Sequence, residues 1–192
     1  MSEPVGTTGG DFYGVNSRST ACQLVVGDVC GKGSNAARLV PSVCAHFAEP
    51  AEMQPCERLT RCNDSLSGHF AYDSFCTAWC GDFRSDGTVV YASAGHEPAL
   101  LQSRGGQVSR LPFGGMPIGV CADIGAEEHT VTMRQGESLL IHTDGLSECF
   151  DRGWLTPLDV FDHFDAVKGF LRGCPRRDDV LAVLVERLRG AF

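Results

Sequence analysis

The sequence predicts an α+β fold in which two mostly antiparallel sheets pack face to face with helices outside. Three observations carry that expectation. Two helical stretches come early. The middle of the chain is a series of short apolar runs paired around glycine turns. A helical stretch and one last apolar run close it. At 192 residues, 43% of them hydrophobic, the chain is expected to form one domain over 1–192 with a substantial core.

Phe12 to Val15 follows a Gly-Gly-Asp turn as a short strand, and Ala21 to Val29 returns beside it across 16–19. The helix after Ser34 places Ala37, Val40, Cys44 and Phe47 on one face. Ser34 or Asn35 can cap it, and Pro41 should kink it or loosen a turn. Pro55 opens a second helix, Cys56 to Leu66, with Leu59, Cys62 and Leu66 on its stripe. Phe75 to Phe83 and Thr88 to Ala94 flank Asp86-Gly87, a strong hairpin signal. Ala99 to Gln102 and Gln107 to Leu111 flank Gly105-Gly106 in the same way, and His129 to Met133 and Ser138 to His142 flank Gln135-Gly136. Leu158, Phe161, Phe164 and Val167 give Leu158 to Leu171 helical spacing. Val180 to Val185 is apolar on both parities, as a central strand buried on both faces is.

Composition narrows the function. A net charge of -8 argues against a nucleic-acid partner, which needs clustered Lys and Arg, but not against divalent cations. No apolar run approaches the ~18 residues of a membrane span, and no signal peptide is visible, so the expected compartment is the cytoplasm. The ten cysteines are scattered without the CxxC pairs of a zinc site and read as reduced, mostly buried thiols. Cys76 and Cys80 fall on one face of a strand.

The stretch Leu24 to Ala37, LVVGDVCGKGSNAA, organises the rest. An apolar strand ends in Gly27-Asp28, a glycine-rich turn follows, and a helix begins. A phosphate-binding P-loop is excluded, because Lys32 is followed by Gly33 and the earlier glycine is misplaced. Such a joint is as often purely structural, and its company decides. Gly9-Gly10-Asp11 lies upstream, Thr143-Asp144-Gly145 far downstream, and Asp178-Asp179 before the last strand. Asp11, Asp28, Asp144 and Asp178 each border an expected strand, and strand ends can converge at one end of a sandwich.

Converged carboxylates repel by ~4 kcal/mol per pair at about 4 Å and an effective dielectric near 20. They are held only if cations neutralise them or protons are shared. All-oxygen ligands suit Mg or Mn rather than Zn or Cu. Two such ions roughly 3.5–4 Å apart can activate water and stabilise an in-line displacement at phosphorus. Val29 can add a backbone carbonyl directly after Asp28.

GGDFYGV, VVGDVCGKGSNAA, YASAGHEPALL, MPIGV, HTDGLSE and RRDDVLAVLV, in that order, resemble the signature blocks of bacterial PPM-type serine/threonine phosphatases of the SpoIIE/RsbU/RsbX group. The resemblance runs from about Gly9 to Val185. It implies an αββα sandwich and a centre of two Mn2+ or Mg2+ ions. It also implies hydrolysis of phosphoserine or phosphothreonine on a STAS-type anti-sigma-factor antagonist in a partner-switching pathway. Carried over by position, Asp11 and Asp28 are the catalytic residues that hold or bridge the metals, Val29 contributes its carbonyl, and Asp144 and Asp178 complete the site. Asp178 is preferred to Asp179 on that alignment. Family members usually have a strand before the Gly-Gly-Asp turn, so the first strand is expected to be missing. The edge it would leave open invites a weak homodimer. A binding module of the same fold with little turnover is the alternative.

Other polar residues have plainer readings. His96 is expected to hold a loop by ring hydrogen bonds, and His142 to point away from Asp144 by strand alternation. Asn63 suits a packing hydrogen bond. Glu148 can support Asp144. Lys32, Arg176 and Arg177 can attract phosphate or simply offset local charge.

Overall fold

Both parities of Leu24–Val25–Val26 are apolar, so their strand must be covered on both faces. The computed structural model shows how; it describes residues 2–3, 9–17, 21–30, 34–48, 53–66, 74–173, 175 and 178–188. β2 (Asp11–Ser17), β3 (Ala21–Val29), β4 (Cys76–Arg84), β5 (Thr88–Ala94) and β8 (Glu128–Thr132) form one antiparallel sheet in the order β2-β3-β4-β5-β8. β1 (Ser2–Glu3), β10 (Val180–Glu186), β9 (Ser138–His142), β6 (Leu100–Gln102) and β7 (Val108–Arg110) form the other, in the order β1-β10-β9-β6-β7.

The facing sides of the two sheets bury Leu24, Val26, Trp79, Tyr91, Leu139 and Ile141. Trp79 and Tyr91 stack at 5.5 Å between ring centres. On the outside of the first sheet lie α1 (Ser34–Ala48) and α2 (Pro55–Leu66), packing Val43, Phe47, Leu59 and Cys62 on Val25, Cys76 and Cys80. On the outside of the second lie α3 (Asp144–Asp151), α4 (Pro157–Asp162) and α5 (Phe164–Gly173), over Leu140, Val180 and Ala182. The layers are helix, sheet, sheet, helix, as expected. The hairpins at Asp86-Gly87 and Gly105-Gly106 and the helix from Pro55 are all present. Pro41 sits within α1, exposed, on a helix assigned without interruption from Ser34 to Ala48.

Three expectations need correction, and one helix was unforeseen. The first strand is not missing: β1 pairs Ser2 with Leu181 and Glu3 with Val180, which removes that much of the open edge and of the motive for a homodimer. The runs around Gln135-Gly136 are not a hairpin. β8 pairs with β5 and β9 with β10 and β6, so the turn crosses from sheet to sheet. Val131 and Met133 face Leu139 and Ile141 across the core instead of lying beside them. Leu158 to Leu171 is two helices broken at His163, whose carbonyl accepts from Ala166 and Val167 to start the second. The break buries Val160, Val167 and Leu171 and leaves Leu158 exposed. Finally, α3 was not foreseen; it begins directly at Asp144.

Candidate metal centre

The first residue of β2 and the penultimate residue of β3 are register partners, so Asp11 and Asp28 lie side by side on one face of the sheet. Val29 N donates to Gly10 O at 3.1 Å and closes this end. Gly10 must be glycine, because a Cβ would run into the Val29 carbonyl and the Asp28 carboxylate. The Val29 carbonyl therefore faces this corner of the site, although its side chain is buried in the core.

The second sheet reaches the same place through Thr143. Its hydroxyl donates to Asp11 Oδ2 at 3.0 Å and accepts from Leu181 N at 2.9 Å. One side chain thus joins the end of β9, the start of β10 and the start of β2. Thr143 is the N-cap position of α3, but its side chain makes no cap hydrogen bond; that hydroxyl is committed to Asp11 and Leu181. Asp144 follows as the first residue of α3. Gly145 lets the helix lie directly on the Asp179 carbonyl, where a Cβ would overlap it. Asp178 accepts from Asp179 N at 2.9 Å, and Asp179 is buried.

These carboxylates feel one another. Burial, and then Asp28, pushes Asp11 up to about 8 against the opposing Thr143 hydrogen bond; Asp179 and Asp144 add to the rise. Burial, and then Asp144, Asp178 and Asp179, pushes Asp28 up to about 7. Burial raises Asp144, with Asp178, Glu97 and Glu148 adding and the Gly145 N–H opposing. No Lys or Arg among the described residues offsets any of the three. Among the described residues, desolvated like charges gather here with no cation beside them.

The donor set is all oxygen, which fits Mg2+ or Mn2+. Among the described residues no three Asp, Glu, His or Cys side chains are closed around one point.

Residues 18–188 match the family model described as Stage II sporulation protein E (SpoIIE). The chain belongs to the SpoIIE family. Phosphoserine phosphatase RsbU of Bacillus subtilis (strain 168) is 24% identical over 165 residues, which cover 83% of this chain and 49% of the relative. The chain thus spans about half the length of that curated relative. Among solved structures, the RsbU and RsbW domains of Rv1364c from Mycobacterium tuberculosis superpose with a TM-score of 0.77 at 23% identity, covering 95% of this chain and 56% of that one. RsbX in complex with magnesium superposes with a TM-score of 0.73 at 21% identity, covering 96% and 90%. The two-sheet architecture is thereby that of the family's solved relatives.

The remaining polar residues of this family member settle into supporting places. His96 is buried, its Nδ1 3.0 Å from Thr77 Oγ1, and burial depresses it to about 3. It holds the loop after β5 beside Thr77, the register partner of Asp28. His142 turns away from the site to meet Phe150 edge-on at 5.6 Å. Asn63 donates to Cys121 O and Ala122 O and accepts from Gly119 N, pinning the 119–122 loop to α2. Glu148 pairs with Arg152 at 2.7 Å while adding to the field on Asp144. The Ser34 and Asn35 side chains, Lys32, Arg176 and Arg177 lie outside the described residues. Sequence reasoning missed Thr143 and Glu97, and it ranked Asp179 behind Asp178. Glu97 accepts from Ser147 at 2.9 Å and faces Asp144. Thr143 stands inside the Thr-Asp-Gly block, but nothing in the sequence says that its hydroxyl crosses to Asp11.

Proposed function

We propose that this chain is a metal-dependent protein phosphatase domain that hydrolyses phosphoserine or phosphothreonine. The observation that carries the reading is the meeting of Asp11, Asp28 and Asp144 with the Asp178-Asp179 pair, with no basic group offsetting them among the described residues. Two Mn2+ or Mg2+ ions, when bound, would supply an activated water and positive charge for the phosphoryl oxygens. Asp11 and Asp28, fixed side by side by the strand register, would hold them. Thr143 keeps Asp11 in one orientation. The Val29 carbonyl, Asp144 and Asp178 complete the ligand set, and substituting Asp178 and Asp179 separately by Asn while measuring Mn affinity tests that choice. Water oxygen bonds to phosphorus as the seryl or threonyl oxygen leaves and takes up a proton, releasing phosphate and the free hydroxyl.

The substrate we favour is a phosphorylated STAS-type anti-sigma-factor antagonist in a partner-switching pathway, with the cytoplasm as compartment. Support comes from the relative named phosphoserine phosphatase RsbU and from the RsbU and RsbW domains of one solved neighbour. No disulfide joins the described cysteines, and no helix among the described residues is long and apolar enough to cross a membrane. Hydrolysis of an aryl phosphate and of a phosphoserine antagonist, each with Mn and with chelator, tests the reading. Metal-dependent release of phosphate from both is expected. Binding of the antagonist with no turnover would instead identify a binding module.

A further inference from the structure

Thr77 sits opposite Asp28 at one end of β4, and Phe83 and Arg84 close its other end. At that far end, between the sheets, lies a cavity of about 160 Å3. Phe83, Val89, Met133 and Val185 form apolar walls, and Arg84 and Arg187 stand at the mouth. The opening owes its shape to Arg187. Its backbone N donates to Glu137 O at 3.1 Å and its carbonyl accepts from Gly136 N at 2.7 Å, which anchors the residue to the turn between β8 and β9. The guanidinium then reaches back to Met133 O, and to Ser85 O at 3.5 Å. Gly87, at φ 93°, leaves room for it; a Cβ there would overlap the guanidinium.

Two features mark this cavity as more than a packing gap. Its volume is that of an apolar cavity able to take one benzene ring, ~150 Å3. In addition, a guanidinium carries five N–H donors in a planar fork. Arg187 spends one well on Met133 O and one at the limit of hydrogen bonding on Ser85 O. Among the described residues no acid forms an ion pair with Arg187. Asp86 is fully exposed; it accepts from Thr88 N at 2.7 Å and feels the charges of Arg84 and Arg187, with no ion pair to either among the described residues. Glu186, on the rim, makes no ion pair among the described residues. Guanidinium donors with no partner among the described residues, at the mouth of a ring-sized apolar cavity, match a planar carboxylate attached to a ring.

We infer that this cavity is a second ligand site, at the opposite end of the sandwich from the acidic cluster, for a one-ring aromatic carboxylic acid. The ring lies against Phe83, Val89, Met133 and Val185, and the carboxylate meets the Arg187 fork with Arg84 beside it. The inference is independent of the phosphatase reading.

The probe is 4-fluorobenzoate, followed by 19F NMR on the full chain, with 4-fluorobenzyl alcohol as its uncharged counterpart. Saturable binding of the acid is expected, about tenfold or more tighter than the alcohol, together with shifts of the Val89, Met133 and Val185 methyl signals. Val185→Phe, which fills the cavity, is expected to weaken binding at least tenfold, and Arg84→Gln to weaken it severalfold. Equal binding of acid and alcohol would overturn the assignment of the ligand class. Absence of saturable binding, or shifts confined to methyls elsewhere, would overturn the site. The methyl map on the unaltered chain decides even if Val185→Phe fails to fold.

Discussion

Asp82 and Asp11 are both carboxylates drawn out of water, and the chain treats them in opposite ways. Asp82, on the helix-facing side of β4, meets Arg58 of α2 in a nearly enclosed ion pair, with side chains 16% and 6% exposed. Asp11 meets Asp28, with Asp144 and Asp179 behind it. The first arrangement carries its own counter-ion and ties a helix to a sheet. The second has no cation among the described residues, and burial and like charge make its ionised form costly. A buried charge that serves packing is compensated within the chain. One left uncompensated needs an outside cation or a proton, and the cost of holding it is accepted for what it binds.

The largest effect that sharpens this contrast is on activity. Asp28→Asn is expected to remove metal-dependent phosphate release by more than the ~10–100-fold that loss of a residue supporting a metal ligand costs, while the protein stays folded. Aryl phosphate hydrolysis measured beside circular dichroism checks it; activity within tenfold of the parent would remove Asp28 from the site. The ion pair should respond in stability. Arg58→Met strands Asp82 and is expected to cost ~3–5 kcal/mol in denaturant unfolding. Adding Asp82→Leu should return most of it. A double variant as unstable as the single would mean that Arg58 acts through packing rather than charge.

A third test uses pH. Asp11 and Asp28 are raised in the folded chain to about 8 and about 7, so the native state holds more protons than the unfolded state between ordinary carboxylate values and those limits. As far as these two groups decide it, the metal-free protein should therefore be most stable at about pH 4 and below, and lose stability as pH rises towards 8. Excess Mn should reverse the slope over the same window. Chemical unfolding at stepped pH with chelator checks the sign; stability rising with pH in chelator would contradict the converged-carboxylate description.

The same contrast shows what could be read from the sequence. Asp28 and Asp11 announce themselves because glycines and strand ends surround them, and register then makes them neighbours. Asp86-Gly87 fixes a hairpin because the turn and the strand pattern are both local. The Gln135-Gly136 turn misleads because alternation only says that a strand has one apolar face. It cannot distinguish strands lying side by side from strands stacked face to face, and β8 and β9 stack. The short helix α3 escapes for a related reason: Thr143, which would signal its start by capping, bonds across 132 positions to Asp11 instead. The break at His163 was hidden by continuous helical spacing through Leu158, Phe161 and Phe164, of which Leu158 turned out to face solvent. The Arg58–Asp82 pair likewise joins residues 24 positions apart with no local sign. What was missed is what long-range contact decides.

The central claim is that Asp11, Asp28, Asp144 and the Asp178-Asp179 pair crowd together as a site for cations. Thermal melts of the parent chain and of Asp144→Asn, each with chelator and with excess Mn, test it most directly. In chelator the variant should be the more stable, because one repelling charge is gone, by roughly up to a few kcal/mol. In Mn the order should cross, since the parent gains ~2.7 kcal/mol at a hundredfold excess over Kd and the variant gains little. A variant less stable than the parent in chelator would mean that Asp144 serves the start of α3 as a structural residue, and the account of the site would be wrong.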